Sequence, residues 1–501
     1  MRSIGLLNCF LLVLFVQFSE GKVVKIDPME LEKMVQLPQE DWLTLTVMGE
    51  KIGYAHIYTE KSQYQGEEAI RTRMDVMMEF KRSGTGLRLE TTKIHYVGMD
   101  FVPRYFISTS KESGHEKRVE GEIKDGSIYL KTTLAGETTQ SQNLIPPDTI
   151  FEETLGYLML QRGISVGDEY TLSVFNTELM RPVETQVSVV REDTVEFGGE
   201  SKPAIVIDYL MDIFGGFRAT AWLGHDGTTY RMETGIPGMK IVLSKVDMET
   251  ALGKHGELDV IINTKIFSRG IQPIQNARYF KARLRLNGGN LDEVIVNNGR
   301  QKLHLDEHPD SGTVEIEVPA VNPSKVLNLP IQADANQDLE EFLKSTVYIQ
   351  ANQPTLKAKA IEIINGEIDA WKASKKLCRW VHTNIYDKNL RIGFGSALQT
   401  LESLEGDCTE HTVLLIALAR SVDIPARACM GLVFQRDAFY YHFWPELYVG
   451  EWVAMEPTLG QIQADANRIQ LTGGQIESNS LIEFGEGVMR TLNQLEIEVI
   501  Q

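Results

Sequence analysis

The sequence is short of cysteine and of positive charge, and it has no long apolar run beyond its N-terminus; each shortage excludes a class of protein. Four cysteines in 501 residues exclude a small module held together by disulfide bonds. Asp and Glu total 69 against 50 Lys and Arg, a net charge of −19. The basic residues form no cluster, so we expect no nucleic-acid partner and no binding to an anionic membrane surface.

The overall composition is that of a folded globular protein. Hydrophobic residues make up 43% and charged residues 24% of the chain, which argues against a disordered, collagen-like or coiled-coil protein. At roughly 150 residues per domain, the length suggests about three domains.

The N-terminus has the pattern of a secretory signal peptide. A basic region of three residues precedes the mostly apolar run Ile4–Phe18, and Ser19, Glu20 and Gly21 follow it at the expected cleavage site. We therefore predict a signal peptide over residues 1–21 and an exported protein, either periplasmic or secreted. A membrane anchor is the alternative. The apolar run is shorter than the ~20 residues that a spanning helix needs, so we expect no stable membrane span after cleavage.

The cysteines of the mature chain would be odd in number. Cleavage at residue 21 removes Cys9 and leaves Cys378, Cys408 and Cys429, all in the last quarter of the chain. An exported protein built on disulfide bonds usually has an even and larger number. At least one of the three is therefore expected to be a thiol whose role needs explaining.

Short runs of alternating apolar and polar residues extend from about Leu43 to Glu317 and predict strands. Four dipeptides between such runs have the composition of two-residue hairpin turns: Asp125-Gly126, Asp226-Gly227, Asn287-Gly288 and Asn298-Gly299. We therefore predict an extended antiparallel region. One domain would cover residues 22–260, and a further β-rich segment over residues 261–320 would be either separate or continuous with it.

The pattern changes to a helical period after a linker. Prolines with Asn, Ser and Asp residues predict a linker over residues 321–337, followed by a C-terminal domain over residues 338–501. One helix face there contains Ala370, Trp371, Ser374, Leu377, Cys378, Val381 and Ile385. Cys378 is therefore expected to be a buried small hydrophobe. Together with the strands, this predicts an α+β protein with a β-rich antiparallel N-terminal region.

The segment Gly406–His411 contains the candidate nucleophile. Asp407 and Glu410 have the spacing of a capping box, which predicts that a helix begins there with Cys408 as its first residue. A helix N-terminus carries partial positive charge, which stabilises a thiolate and lowers the pKa of a cysteine. On this pattern alone, a structural role for Cys408 is equally open.

Two strands after this helix contribute a candidate base and a candidate carboxylate. We predict a strand over residues 440–449 that contains His442, then a turn at Gly450-Glu451 into a strand that leads to Glu456. A cysteine on a helix, followed by a histidine and a carboxylate on strands, can form a nucleophile, a base and an orienting group.

The register of these strands decides whether Glu456 meets His442. A two-residue turn would set Glu456 opposite Pro445, roughly 10 Å from His442 at ~3.4 Å per residue. Direct opposition to His442 needs a loop centred on Val449. Spacing alone leaves both registers open.

The C-terminal motifs resemble those of the transglutaminase-like superfamily. The nucleophile segment is Gly-Asp-Cys-Thr-Glu-His, followed by an apolar helix, by Ile424-Pro425-Ala426-Arg427 and by Gly431. The histidine strand is His442-Phe443-Trp444-Pro445-Glu446, with Trp452 after it. The carboxylate strand is Glu456-Pro457-Thr458. Trp380-Val381 and Ile385-Tyr386 match the preceding helix, and the tail from Leu459 to Ile469 resembles exported bacterial members. The resemblance covers roughly residues 335–500.

This resemblance implies a papain-like α+β core. In it, Cys408 is the nucleophile, His442 is the general base and then the acid, and Glu456 is the carboxylate that orients the imidazole. The family usually has aspartate at the position of Glu456, so this carboxylate is one methylene longer, and a Glu456→Asp variant is expected to retain activity. Pro445 removes a backbone donor from the histidine strand, which suits a strand edge.

A zinc site near Cys408 is the alternative to a nucleophile. His411 lies three residues after Cys408 on the same predicted helix, next to Glu410, and zinc accepts Cys, His and carboxylate ligands. Only Cys408 and His411 are well placed, so we expect no metal and no cofactor. Cys429 is expected to pack in a strand, and a disulfide bond between Cys429 and Cys378 stays open.

These patterns favour an exported cysteine acyl-transfer enzyme that acts on a peptide or Gln-type amide through a thioester, as a protease or amidase or as a transglutaminase. Its partners would be protein or peptide substrates, and the sequence predicts no oligomeric state. The alternative is a catalytically idle cell-envelope binding or scaffold protein, in which the β-rich region recognises a partner.

Overall fold

The structure, a computed structural model, describes residues 37–501 except 83, 113–114, 152–153, 155–163, 214–215, 226, 237–238, 260–263, 332–336, 389–394 and 475–486. The predicted signal peptide over residues 1–21 lies outside the described residues, and so does Asp226. Within the described part of the chain, no helix is long and apolar enough to cross a membrane.

The N-terminal region is an antiparallel meander of fifteen strands within the described residues. The strands are β1 (Gln39–Val47), β2 (Glu50–Tyr64), β3 (Glu67–Arg82), β4 (Thr85–Gly98), β5 (Pro103–Glu112), β6 (His115–Lys124), β7 (Ser127–Leu134), β8 (Glu137–Leu144), β9 (Ile150–Phe151), β10 (Glu169–Asn176), β11 (Arg181–Phe197), β12 (Glu200–Met211), β13 (Phe217–Gly224), β14 (Thr229–Ile236) and β15 (Met239–Val246). Their order across the sheet is β8-β7-β6-β5-β4-β3-β2-β1-β15-β14-β13-β12-β11-β10-β9. Only β9, which pairs with β10, runs parallel to its neighbour in this sheet of described strands.

Alternating burial explains why these segments form strands. In β1, Leu43, Leu45 and Val47 are buried while the residues between them are partly exposed, so one face of the sheet packs on the core. The hairpin predicted at Asp125-Gly126 is confirmed: it joins β6 to β7, and both residues have positive φ, 52° and 72°, as a two-residue turn of this type requires.

A second sheet of nine described strands joins the segment after residue 264 to the C-terminal half of the chain. Its strands are β16 (Ile266–Gly270), β17 (Tyr279–Leu286), β18 (Gln301–Leu305), β19 (Ser311–Glu317), β20 (Ala426–Gln435), β21 (Ala438–Tyr448), β22 (Trp452–Ala454), β23 (Arg468–Gly474) and β24 (Leu495–Val499). Their order is β18-β19-β17-β24-β16-β21-β20-β23, with β22 beside β21. The division into domains at residues 260, 320 and 337 stays a prediction.

Two of the predicted hairpin turns do not join paired strands. β17 ends just before Asn287-Gly288, but it pairs with β19 and β24 rather than with β18, the next strand in the chain. Asn298 instead starts a side-chain turn, because its Oδ1 accepts the backbone N–H groups of Arg300 and Gln301, each at 2.8 Å. Local turn composition therefore predicted a bend correctly but not which strands pair.

Among the described residues, the helices lie in the C-terminal half, apart from one short helix after β15. They are α1 (Met248–Leu252), α2 (Gln337–Glu340), α3 (Pro354–Ile364), α4 (Ala370–Asn384), α5 (Ala397–Ser403) and α6 (Cys408–Arg420), with 3₁₀ turns at Leu291–Glu293, Pro323–Lys325 and Glu341–Leu343. The apolar face of α4 is buried, as predicted. α6 is buried along its whole length and packs on α4 and α5 as well as on β20 and β21. The predicted α+β class, with a β-rich antiparallel N-terminal region, is confirmed.

Gly431 lies where β20 pairs with β23, and we expect that no residue with a Cβ fits there. A Cβ at this position would lie 2.0 Å from the carbonyl oxygen of Ile469, so we expect Gly431→Ala to destabilise the protein by about 2–3 kcal/mol. Gly299→Ala is the matched control, because a Cβ there meets nothing within 4 Å. Thermal unfolding followed by circular dichroism checks this. Equal melting temperatures for the two variants would contradict the close strand contact.

Candidate active site

The first turn of α6 is built as the sequence predicts. The Asp407 side chain accepts the backbone N–H of Thr409 at 3.0 Å, and the Glu410 side chain accepts the backbone N–H of Asp407 at 2.9 Å. The capping box is complete, so α6 begins at Cys408, which confirms the predicted helix start. Cys408 is fully buried and lies at the positive end of the helix dipole.

The residue before this cap has to be glycine. Gly406 has a φ of +132°, and a Cβ there would lie 2.4 Å from Cγ of Glu410. Both the dihedral angle and the contact exclude a larger side chain. The position of Glu410 thus depends on the glycine that opens the motif.

One hydroxyl group joins the two carboxyl groups of this turn. Thr409 Oγ1 lies 2.9 Å from Asp407 Oδ1 and 2.9 Å from Glu410 Oε2, and its single proton cannot serve both. Burial, and then the charge of Asp407, raise the pKa of Glu410 to about 8. Burial thus favours the protonated form of Glu410, in which its O–H can donate to Thr409 while Thr409 donates to Asp407.

His442 and Glu456 come into contact through a register that lies between the two considered above. Tyr448 of β21 faces Trp452 of β22, which sets Glu456 nominally opposite Trp444. The glutamate reaches diagonally along β21, and its Oε2 lies 2.5 Å from Nε2 of His442. Long side chains bridge such diagonals between strands.

The diagonal contact uses the full length of the glutamate. An aspartate at this position would fall short of His442 by about one C–C bond, ~1.5 Å. On this geometry we expect Glu456→Asp to lower activity, which is the opposite of the prediction made from the sequence.

The Glu456 carboxylate receives five hydrogen bonds. Oε1 accepts the backbone N–H groups of Thr458 and Leu459 at 3.1 and 3.2 Å. Oε2 accepts from His442 and from Nε and Nη2 of Arg468, at 3.1 and 3.0 Å. A carboxylate acts here as acceptor only, so His442 donates its Nε2–H. Nδ1 is then the ring nitrogen that keeps a lone pair when the imidazole is neutral.

Arg468 is the main residue of this site that the sequence analysis missed. It is the first residue of β23, its side chain is fully buried, and its Nη1 contacts the carboxylate of Asp465. A basic residue at the start of an apolar strand was the available signal. Nothing in the sequence linked it to Glu456, 12 positions earlier.

His442 lies in the part of β21, residues 440–445, that pairs with β20. β16 pairs with residues 438–439 and β22 with residues 446–448, so residues 440–445 have β20 as their strand partner. Pro445 has no N–H to donate, and its carbonyl oxygen accepts the backbone N–H of Met455 at 2.9 Å. Trp444 stacks on His442, with ring centroids 6.2 Å apart, and α6 packs against β21, which brings the helix of Cys408 to the strand of His442.

The remaining candidate residues are His411, Cys378 and Cys429, and all three are buried. The Nδ1–H of His411 donates to the carbonyl oxygen of Asp407 at 2.5 Å, and burial lowers the pKa of His411 to about 4. No group of three or more metal-ligating side chains occurs among the described residues. Cys378 and Cys429 are thiols, so the disulfide left open above is not formed. Burial raises the pKa of Cys378 to about 12 and that of Cys429 well above its usual value.

Comparison with known families assigns this part of the chain. Residues 357–457 match the sequence model of the transglutaminase-like superfamily. This segment is a transglutaminase-like domain. The assignment covers Cys408, His442 and Glu456, whereas Arg468 lies outside the matched residues.

The individual proteins that resemble this chain are distant from it. An uncharacterized protein of Haemophilus influenzae is 29% identical over 99 residues, which are 19% of this chain and 27% of that protein; the match thus spans about a quarter of the relative's length. A protein from Cytophaga hutchinsonii, provisionally named a cysteine protease, has 15% identity and a TM-score of 0.32, over 47% of this chain and 82% of that chain. A beta-barrel-like protein of a domain of unknown function from Brucella abortus has 13% identity and a TM-score of 0.32, over 42% and 97%. A TM-score of 0.32 is too low for either structure to indicate the fold or the function of this chain.

The variant Glu410→Gln tests whether Glu410 is protonated in the folded chain. Glutamine removes the titrating group and can still close the same capping box. The folded chain, with a Glu410 pKa of about 8, keeps a proton that the unfolded chain loses near pH 4.5. The parent therefore loses stability relative to the variant as the pH rises from about 5 to about 8. Melting temperatures measured across this range should diverge, whereas exposed Glu402→Gln should track the parent. A constant difference for Glu410→Gln would show that Glu410 is ionised throughout.

Proposed function

We propose that this protein is an exported cysteine acyl-transfer enzyme that acts on peptide or glutamine-type amides through a thioester. The observation that carries the proposal is the buried hydrogen bond between His442 and Glu456, on the strand against which the helix of Cys408 packs. The bond leaves Nδ1 of His442 available as a base. A nucleophile, a base and an orienting carboxylate are the groups that this chemistry needs.

The first chemical step forms the thioester. Cys408 gives its proton to Nδ1 of His442, and the thiolate attacks the carbonyl carbon of the amide. The C–N bond then breaks as the imidazolium passes that proton to the leaving amine. The acyl group stays on Sγ, the backbone N–H of Cys408 donates to the oxyanion, and Glu456 stabilises the imidazolium.

The second step decides the type of enzyme. His442 takes a proton from water or from an amine, which attacks the thioester carbonyl and releases the thiolate, and the thiolate takes the proton back. Water yields an acid, so the protein would be a protease or amidase; an amine yields a new amide, as in a transglutaminase. Water is in vast excess unless an amine is bound nearby, which favours hydrolysis.

A glutamine-containing peptide library, incubated with the protein with and without an amine donor and analysed by mass spectrometry, separates these activities. New peptide ends or deamidated glutamine without amine indicate hydrolysis, and amine adducts indicate transfer. Unchanged peptides in both reactions would contradict the proposal and favour the catalytically idle scaffold.

Cys408 should react with iodoacetamide near pH 6, where a thiol with the ordinary pKa of about 8.5 is almost wholly protonated. A helix N-terminus beside an imidazolium typically brings a thiol pKa to about 3.5–7.5. Cys378 and Cys429 should stay unmodified until denaturant is added, because burial raises their pKa values. Cys408 is equally buried, so its labelling depends on the helix N-terminus and His442 favouring the thiolate. Peptide mapping after brief alkylation gives the answer. Equal labelling of all three thiols would identify Cys408 as an ordinary cysteine.

Glu456→Gln should lower turnover by roughly 10²–10⁴-fold, because an amide cannot stabilise the imidazolium. Arg468 keeps Asp465 as an ionic partner in this variant, and thermal unfolding checks that it is folded. Glu456→Asp should also lose roughly tenfold or more, since a misplacement of ~1 Å is costly. Glu446→Gln is the matched control. Glu446, on β21, is also buried and is paired with Arg427 at 2.8 Å, and its variant should stay close to the parent. Equal steady-state rates for Glu456→Gln and Glu446→Gln would show that Glu456 is not the carboxylate that orients His442.

A further inference from the structure

We propose that Arg468 is a positioning residue that holds the Glu456 carboxylate against His442, so that the working site extends beyond the matched segment 357–457. Its catalytic meaning rests on the proposed function. The positioning itself is a property of the folded chain and can be measured without a substrate.

The ion pair between Arg468 and Glu456 is completely buried on both sides. Nε and Nη2 of Arg468 lie 3.1 and 3.0 Å from Oε2, the same oxygen that accepts from His442. Turning the carboxylate away from His442 would therefore also break two charge-assisted hydrogen bonds. It would leave the Nε and Nη2 donors of a buried guanidinium without acceptors, which is unfavourable even though Nη1 keeps its contact with Asp465. The contact with His442 is thus coupled to the ion pair.

A glutamate needs such a partner more than an aspartate does. Its side chain has one more torsion to immobilise, and immobilising it costs entropy. The diagonal reach to His442 also places the carboxylate far along β21 from the backbone of residue 456. The planar guanidinium presents two N–H donors in a fixed geometry, whereas a lysine would supply a point charge. Arg468 therefore explains how a glutamate can stand where the family usually has aspartate.

Arg468 is itself held from two directions. Its Nη1 contacts the Asp465 carboxylate. Arg300, which precedes β18, donates from Nη1 to the carbonyl oxygen of Arg468 at 3.1 Å and from Nη2 to that of Asp465 at 2.8 Å. Burial lowers the pKa of Arg300 to about 10, so its side chain stays charged at neutral pH. The predicted β-rich segment 261–320 thus contributes a residue to the support of the site.

The test compares Arg468→Lys with Arg427→Lys in the full chain. Arg427 and Glu446 form a second Arg–Glu ion pair on the same sheet, also with two nitrogens on one carboxylate oxygen. Both variants keep the positive charge and lose the guanidinium fork. Only the first removes donors from Glu456.

Two readouts are needed. Proton NMR follows the low-field resonance of the proton between His442 and Glu456, identified by its loss in His442→Gln. The rate of Cys408 alkylation at pH 6 reports on reactivity, and thermal unfolding confirms that each variant is folded.

We expect Arg468→Lys to shift or lose the low-field resonance and to slow alkylation by about tenfold or more, while Arg427→Lys matches the parent in both. A folded Arg468→Lys variant that behaves like Arg427→Lys overturns the proposal. If the resonance changes as expected but Cys408 of the parent does not react, the proposed function fails and the positioning role stands. If Arg468→Lys does not fold, Arg300→Lys decides: a smaller shift of the resonance supports the proposal, and an unchanged resonance overturns it.

Discussion

A carboxylate buried away from water must be surrounded by hydrogen-bond donors, and the candidate site depends on how Glu456 meets that requirement. Its donors come from β21, from the turn after residue 456 and from β23. Because β20 lies between β21 and β23, the carboxylate links strands on both sides of it. The same bonds fix which nitrogen of His442 donates and which is left as a base. α6 packs on this sheet, so the position of Cys408 relative to His442 follows from the same packing.

The sheet that supports the site is larger than the transglutaminase-like domain itself. β16 to β19 precede the matched residues 357–457, and β23 and β24 follow them, yet all pair within one sheet. Arg300 and Arg468 come from these flanking parts, and the Arg300 side chain donates to the backbone carbonyl oxygen of Arg468. Segments outside the matched residues thus determine how firmly Glu456 is held.

Features set by neighbouring residues could be predicted from the sequence, and features set by long-range pairing could not. The start of α6 follows from a capping box within four residues, and the buried face of α4 follows from its period. The contact between His442 and Glu456 needed a diagonal reach that alternation along a strand does not encode. The hairpin interpretation of Asn287-Gly288 was wrong because turn residues specify a bend, whereas β17 pairs with β19 and with β24, which lies near the end of the chain. Arg468 escaped notice because only the folded sheet brings β23 to Glu456.

The proposed mechanism requires that Cys408 forms an acyl thioester with the help of His442 and Glu456. p-Nitrophenyl acetate tests it most directly, because a reactive thiol takes up the acetyl group and releases p-nitrophenolate. We predict a rapid burst of about one p-nitrophenolate per chain, as expected of an acyl-enzyme that accumulates, with the acetyl group on the peptide that contains Cys408 and removable by hydroxylamine. No burst, or an acetyl group on Cys378, Cys429 or another residue, would contradict the claim.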